Sequence, residues 1–334
     1  MNGNILLTGG TGYIGSHMAV ELIEAGYTPI ILDNLINSKE STLDGIEKIT
    51  GVRPRFYNID LCDDTVVEKI FQENNFDLVM HFAGLKAVAE SIQQPLRYYE
   101  NNIGGTINLL KCMKKYNCKK IIFSSSATVY GKQESPRLVE SMTTGLGITN
   151  PYGQTKFMIE QILRDTCMSD SSFSATCLRY FNPVGNHESG IIGEDPEGIP
   201  NNLMPIIMKV ASGEIPELKV YGNDYDTKDG SCVRDFIHVV DLVKGHLTAM
   251  RHMSSGFKVY NLGTGNGTTV LEMIDAFQKE GKMALPYTIV GRRDGDLAEI
   301  YADPSLAEKE LGWKAERTIN DAMRDTIKFL KNTK

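Results

Sequence analysis

Tyr152 and Lys156 stand four residues apart in Tyr152-Gly153-Gln154-Thr155-Lys156, downstream of a glycine-rich stretch, Gly9-Gly10-Thr11-Gly12-Tyr13-Ile14-Gly15. On a helix, residues four apart share a face, so a phenol and an ammonium at this spacing can serve one site. A nearby cation favours the phenolate and lowers a tyrosine pKa that starts near ~10. Half-ionisation at neutral pH requires a fall of roughly three units, or about 4 kcal/mol. One lysine does not readily supply that; a positively charged nicotinamide beside it would add to the effect. The pair reads as a base for a sugar or alcohol hydroxyl working beside a dinucleotide, which makes an oxidoreductase-type site the leading reading.

Gly9, Gly12 and Gly15 follow a predicted strand and open a predicted helix. Glycines so placed make a tight turn, let the backbone approach a pyrophosphate, and pack helix closely on strand. The pattern alone is a weak signal, and its context strengthens it. Asp33 closes the next β-rich run; a carboxylate there binds both ribose hydroxyls and repels a 2′-phosphate, so NAD is expected in preference to NADP. Asp60-Leu61 and Phe82-Ala83-Gly84 end two further runs, where open α/β sheets place ligands. Asp60 is suited to accept from an adenine amine, Gly84 lets the chain pass close to a ribose, and Lys86 suits a ribose or nicotinamide contact.

Short β-rich runs alternating with helical patterns must position these groups. Strands are expected at Asn4–Thr8, Pro29–Asp33, Arg55–Asp60, Leu78–Phe82, Lys120–Ser124 and Ser174–Tyr180, and helices at Tyr13–Ala25, Thr65–Gln72, Leu96–Tyr116 and Gln154–Cys167. That rhythm predicts an α/β fold, a Rossmann-type doubly wound parallel sheet covered on both faces. Beyond Asn182 the rhythm breaks, with Gly185, Gly190, Gly193, Pro196, Gly198 and Pro200 in close succession. A dinucleotide-binding domain over 1–182 and a smaller mixed α/β domain over 183–334 are expected, with a fuzzy boundary near Pro183 and room for segments to interleave.

At 334 residues the chain can bury a large core. A net charge of −7 argues against a general nucleic-acid or anionic-membrane binder. The six cysteines show no C-x-x-C pair and no zinc spacing, and the six histidines show no ligand spacing, so no metal site is expected. Free thiols in a reducing compartment, the absence of a signal-like start and the lack of a membrane-length apolar run point to the cytoplasm. Tyr260-Asn261-Leu262-Gly263-Thr264-Gly265-Asn266-Gly267 looks like a second nucleotide loop. A tight strand-to-helix turn is the preferred reading, because no acidic residue follows at the proper distance on a strand end.

With Ser124-Ser125-Ser126-Ala127-Thr128-Val129-Tyr130-Gly131 added to the glycine loop, Asp33, Tyr152 and Lys156, the chain resembles the extended short-chain dehydrogenase/reductases and, within them, the UDP-glucose 4-epimerase family. The resemblance runs nearly end to end. It includes His81-Phe82-Ala83-Gly84-Leu85-Lys86, Leu178-Arg179-Tyr180-Phe181-Asn182-Pro183-Val184-Gly185, Asn201-Asn202-Leu203-Met204-Pro205, Val233-Arg234-Asp235-Phe236-Ile237-His238-Val239, Gly295-Asp296-Leu297 and Leu311-Gly312-Trp313.

The resemblance implies a tightly held NAD and a UDP-hexose substrate. Tyr152 would take the proton of the sugar 4-hydroxyl while C4 passes a hydride to NAD, and the 4-keto sugar would turn and receive it on its other face. Lys156 would hold the nicotinamide ribose and depress the Tyr152 pKa, and Ser126 would bond the reacting oxygen. Tyr13, Ile14, Asn34, Asn37, Ser38, Leu61, Asn101, Ser124 and Tyr180 would complete the cofactor site. On the substrate side, Lys86, Asn182, Asn202 and Leu203 would meet the sugar or diphosphate. Arg234 and Arg293 would bind phosphate oxygens, Asp296 would accept from the uridine ribose, and Val220 and Tyr221 would flank the uracil.

Relatives that dehydrate nucleotide sugars carry an Asp-Glu pair where this chain has Ala127-Thr128, which favours epimerisation. Ile300 stands where some relatives have a pocket-closing tyrosine and others a much smaller residue, so acceptance of N-acetylhexosamines stays open. The family pairs two helices across a homodimer, and Ile103, Ile107, Leu110, Phe157, Ile162 and Leu163 supply more apolar surface than one buried stripe requires. Another nucleotide-sugar epimerase or dehydratase, and a non-catalytic NAD-binding sensor, remain as alternative readings.

Overall fold

The β-rich runs of the first half form β1 (Asn2–Thr8), β2 (Tyr27–Asp33), β3 (Arg55–Asn58), β4 (Leu78–His81) and β5 (Lys120–Ser126). With the later strands Ser174–Tyr180 and Gly256–Leu262 they make a seven-stranded sheet. Its order is Gly256–Leu262, Ser174–Tyr180, β5, β4, β1, β2, β3. β1 pairs in parallel with both β2 and β4, β2 with β3, and β4 with β5. All four residues of β4 and all seven of Ser174–Tyr180 are buried, as expected of parallel strands covered on both faces. The order reverses between β1 and β4, the switch point at which doubly wound sheets bind ligands.

The helices are α1 (Tyr13–Glu24), α2 (Thr42–Thr50), α3 (Asp64–Glu73), α4 (Val88–Gln93), α5 (Pro95–Tyr98), α6 (Gly105–Lys115), α7 (Pro151–Ser169) and α8 (Leu203–Ser212), followed by four more among the described residues. The expected helix Leu96–Tyr116 is an unbroken run from α5 to α6 whose middle, Tyr99–Gly104, is wound as a π-helix. The helix expected from Gln154 begins three residues earlier, because Asn150 caps it through the Gly153 amide at 2.8 Å and Pro151 occupies its first turn. α2 and α4 fall in stretches read as connections.

This computed structural model describes residues 2–196, 200, 202–293 and 295–333; Gly198 and Asn201 of the sequence reading lie outside them. The chain divides into two compact units that exchange segments. One comprises Met1–Lys132, Thr143–Arg179 and His246–Tyr260, the other Gln133–Met142, Tyr180–Gly245 and Asn261–Lys334. The segments interleave through several crossings, the third of them between Arg179 and Tyr180, close to the fuzzy boundary expected near Pro183. Leu6, Val79, Leu109, Ile121, Phe123 and Leu163 sit in the core of the first unit. Each such fully buried side chain contributes roughly 1.5–3 kcal/mol. Val184, Ile207, Phe236, Met273, Phe277 and Met323 sit in the core of the second. There the strands Thr268–Thr269, Val233–Arg234, Glu299–Ala302 and Arg137–Leu138 form one sheet in that order. Among the described residues, no helix is long and apolar enough to cross a membrane.

Candidate active site

β1 delivers the chain into a turn at Gly9 (φ 71°), whose amide donates to the Leu32 carbonyl at 2.8 Å. The Thr8 carbonyl accepts from the amides of Phe82 and Ala83, both at 3.0 Å, so the segments following β1 and β4 abut. The three glycines do different work. A Cβ on Gly9 would meet the Ala83 nitrogen at 2.7 Å, and one on Gly15 would meet the Gly9 oxygen at 2.2 Å. A Cβ on Gly12 would touch only that same oxygen, at 3.3 Å. Gly9 therefore makes the turn, Gly15 seats α1 against the loop, and Gly12 leaves the backbone open to approach. α1 starts beside Gly12 with no side-chain cap and no acidic residue in its first turn, which suits an anion at its N-terminal amides. Tyr13 and Ile14, in that turn, are half-buried.

Asp33, at the end of β2, is 8% exposed. Its Oδ2 accepts from the Thr11 amide at 3.1 Å, and its Oδ1 from the Leu35 amide at 3.0 Å and the Ser38 hydroxyl at 3.2 Å. Ser38 thus orients Asp33, while Asn37 is exposed. Asn34 donates to Asp60 at 2.9 Å and the Cys62 amide does so at 2.8 Å. Partial burial opposes the Asp60 charge, but these bonds outweigh it and hold the carboxyl below its ordinary range. Leu61 is buried beside it, and Lys86 is exposed on the segment after β4. The glycine loop, the open helix terminus and the strand-end carboxylate together fit a dinucleotide carrying two ribose hydroxyls.

α7 brings its polar residues to the end of β5. The Ser126 hydroxyl stands near enough to the Tyr152 phenol to favour its ionised form, and it accepts from the Thr128 amide at 3.2 Å. Lys156 is buried, donates to the Ser124 carbonyl at 2.7 Å, and places its ammonium 4.8 Å from the Phe123 ring centroid and 5.8 Å from that of Tyr152. The expected depression of the Tyr152 pKa by Lys156 is corrected here. Burial dominates and pushes the phenol up, with the Ser126 hydroxyl opposing it. Burial likewise lowers Lys156 to about 8, which leaves most of it charged at neutral pH.

Asn102 escaped the sequence reading. It is buried in the π-helical turn, accepts from the Leu85 amide at 2.8 Å, and donates to the Leu85 carbonyl at 3.1 Å and Thr155 Oγ1 at 3.0 Å. It ties the segment after Gly84 to α7, and the neighbouring Asn101 donates to its carbonyl oxygen at 2.9 Å. The signal was present, as two asparagines and two glycines interrupt an apolar helical pattern. His81 was passed over too. Its ring lies between Thr8 Oγ1 at 2.7 Å and Thr106 Oγ1 at 2.9 Å, and burial, followed by Lys156, drives its pKa down to about 3.

In the second unit, Arg293 lies with its guanidinium 5.5 Å from the Tyr221 ring centroid and grips Asp296 at 3.1 and 2.8 Å. Arg234 reaches the same carboxylate at 3.4 Å and also donates to the Leu297 carbonyl at 2.8 Å. Ile300 is the parallel register partner of Arg234. Tyr221, Arg234, Arg293, Asp296 and Ile300 therefore form one cluster. Two expectations change. Val220 is 2% exposed within the core, so its side chain cannot flank a base and only its backbone can. Asp296 already serves two guanidinium groups, so a ribose hydroxyl would have to share it. Asn202 is exposed and donates to Glu194 at 3.0 Å. It precedes Leu203 at the start of α8, which has no side-chain cap and no acid in its first turn. The Asn182 amide donates to the Asp235 carbonyl at 3.0 Å, and Tyr180 is buried. The loop at Gly263 and Gly265 is a structural turn, because the Asp235 carboxylate takes the amides of Thr264 at 2.9 Å and Gly265 at 3.0 Å. Among the described residues, no group of three or more His, Cys, Asp or Glu is arranged to hold a metal.

Residues 5–263 match the NAD dependent epimerase/dehydratase family. The chain is 54% identical to the UDP-glucose 4-epimerase of Haemophilus influenzae over 98% of its own length and 97% of that protein's. It is 50% identical to the human UDP-glucose 4-epimerase over 98% and 96% respectively. The crystal structure of UDP-glucose 4-epimerase from Bifidobacterium longum, in complex with NAD+ and UDP, superimposes with a TM-score of 0.95 at 53% identity, covering 98% of each chain.

Proposed function

From the premise that this chain belongs to the NAD dependent epimerase/dehydratase family, we propose that it interconverts UDP-galactose and UDP-glucose by reversible 4-epimerisation. The observation that carries this reading is the Tyr152–Ser126 hydroxyl pair with Lys156 fixed beside it at the end of β5. It stands in the same unit as the glycine loop and Asp33.

Gly9, Gly12 and Gly15, with the first turn of α1, would hold the NAD pyrophosphate. Asp33 would hold the adenosine ribose, helped by Asn34, Asn37 and Ser38. Asp60, Leu61, Phe82, Ala83, Gly84, Lys86, Asn101, Ser124 and Tyr180 would line the rest. When bound, NAD supplies the hydride acceptor and return donor for sugar C4. Tyr152 takes the proton of the 4-hydroxyl and gives it back, general acid–base work that contributes typically 10²–10⁴-fold. Ser126 holds the reacting oxygen through the exchange. The Lys156 ammonium keeps positive charge beside Tyr152 and is within the same unit as the proposed ribose site. Ala127 and Thr128 offer no carboxylate for an elimination.

For the substrate, Arg234 and Arg293 would take the diphosphate, with the N-terminus of α8 at Asn202 and Leu203 as a further anion site. Tyr221 and the Val220 backbone would meet the uracil, Asp296 the uridine ribose, and Asn182 and Ile300 the sugar. With Ile300 of intermediate size, plain UDP-hexoses are the preferred substrates over their N-acetyl counterparts.

A homodimer is part of this reading. Leu110 and Leu163 turn out to be core residues with Ile103 and Ile162 packed on them, and the Phe157 ring lies against Gly145. Of the six apolar residues expected there, Ile107 stays exposed at 37%, and Leu96 at 79% and Met158 at 39% would join it in pairing copies. All six cysteines are free thiols, which suits work in the cytoplasm.

Incubating the purified protein with UDP-galactose, without added NAD, tests the function. Formation of UDP-glucose is expected. No conversion even after NAD is supplied would overturn it.

A further inference from the structure

Tyr152, Lys156 and Glu160 follow one another at intervals of four along α7, which sets them in a row on one helix face. Each touches a different one of three consecutive residues at the end of β5. The Tyr152 phenol stands by the Ser126 hydroxyl, which favours its ionised form. Lys156 Nζ donates to the Ser124 carbonyl at 2.7 Å, and Glu160 Oε1 accepts from Ser125 Oγ at 2.5 Å. The first two contacts belong to the proposed chemistry. The third touches no candidate ligand-binding residue, yet it completes the row.

Glu160 is 0% exposed, and Arg179, on the adjacent strand Ser174–Tyr180, is 2% exposed. They form two parallel hydrogen bonds, Nε to Oε1 at 3.0 Å and Nη2 to Oε2 at 2.7 Å. The Arg179 guanidinium also lies 4.7 Å from the ring centroid of Tyr130, at the end of the short 3₁₀ turn Ala127–Tyr130 that leaves β5. A buried ion pair is seldom more stabilising than apolar side chains of similar volume, so its best-attested use is to specify one arrangement among several. Here the alternatives are registers of α7 on β5. A slip of one residue would turn the row by about 100° and carry Tyr152 away from Ser126.

We infer that Glu160, held by Arg179, is a positioning residue that locks α7 against β5 through Ser125 and so fixes Tyr152 against Ser126 for proton transfer. The inference rests on the roles proposed above for Tyr152, Lys156 and Ser126. Glu160 touches none of the reacting atoms. It acts through the helix that carries them, so its loss should fall on turnover and leave substrate affinity alone.

Replacing Glu160 by itself strands a buried guanidinium and risks the fold. The test therefore uses the full chain with both charges removed, Glu160→Leu/Arg179→Met, alongside Ser125→Ala, which deletes one hydroxyl. Melting temperature, kcat and KM for UDP-galactose are measured for each. The double variant is expected to stay folded, with kcat down at least tenfold and KM within threefold of the parent. Ser125→Ala is expected to lose at least threefold in kcat at unchanged KM. A folded double variant, or Ser125→Ala, with parental kcat would overturn the inference, as would a loss confined to KM. If the double variant does not fold, Ser125→Ala decides alone. A parent protein unable to epimerise would sink the functional reading instead, so the two failures are distinguishable.

Discussion

The two units hold their candidate residues in contrasting ways. In the first, Lys156 is 5% exposed and bonded to a strand carbonyl, and Tyr152 meets a serine on the same strand. In the second, the Arg293 side chain is 59% exposed and is occupied by Asp296, three residues along its own loop. One arrangement is set by buried secondary structure. The other is an ion pair whose Arg293 arm lies open to solvent over the largely covered Asp296 and Arg234; a pair with so exposed a partner contributes little stability, and an incoming anion must reorganise it. Proton transfer tolerates little misplacement, whereas gripping a flexible diphosphate does not demand comparable rigidity. Substitutions in the first unit should therefore fall on kcat, and those in the second on KM.

Tyr152→Phe should show the largest effect. It removes the proposed proton carrier and leaves the ring, so kcat should fall by roughly 10²–10⁴-fold with the fold intact by circular dichroism. Activity within tenfold of the parent would break the contrast at its strongest point.

Lys156→Met probes burial itself. The lysine pKa falls from 10.5 to about 8 on folding, so between those values the unfolded chain binds the proton more tightly than the folded one. The charge is therefore destabilising below pH 8, and that penalty fades as pH rises towards 10.5. Relative to Lys156→Met, the parent should gain about 3 kcal/mol across that window. Urea unfolding of both proteins at pH 7 and pH 10.5 measures it, and a pH-independent difference would show the ammonium to be hydrated.

For the second unit, Arg293→Ala should raise KM for UDP-galactose about tenfold, ~1.4 kcal/mol, with kcat within threefold. A fall in kcat at constant KM would erase the distinction between the units. Asn150→Ala should have the smallest effect, about 1 kcal/mol of stability from the lost helix cap, read as a modest drop in melting temperature.

The same contrast explains what the sequence disclosed. Strands and helices of the first unit follow from hydrophobic periodicity, and the glycine loop, Asp33 and the Tyr152/Lys156 pair lie at their ends, where the pattern changes. The start of α7 was also legible, since Asn150-Pro151 is a cap followed by a first-turn proline, although the periodicity suggested Gln154. The Tyr152 pKa was not legible. It depends on burial and on where the Lys156 ammonium settles, neither of which spacing fixes. Glu160 acts through partners 35 and 19 residues away, so no local pattern marks it, whereas Asn102 is flagged by the polar and glycine break in its helix but its partner at Leu85 is not. In the second unit the two arginines carry no periodic signal and surfaced only through family resemblance. That resemblance named Val220 without revealing that its side chain points into the core.

The most direct test of the mechanism follows UDP-galactose deuterated at sugar C4 through conversion in ordinary water. Deuterium retained at C4 of the UDP-glucose product is expected, because the hydrogen leaves and returns within the closed exchange while Tyr152 handles only the hydroxyl proton. Loss of the label to solvent would contradict that account and point to proton abstraction at carbon instead.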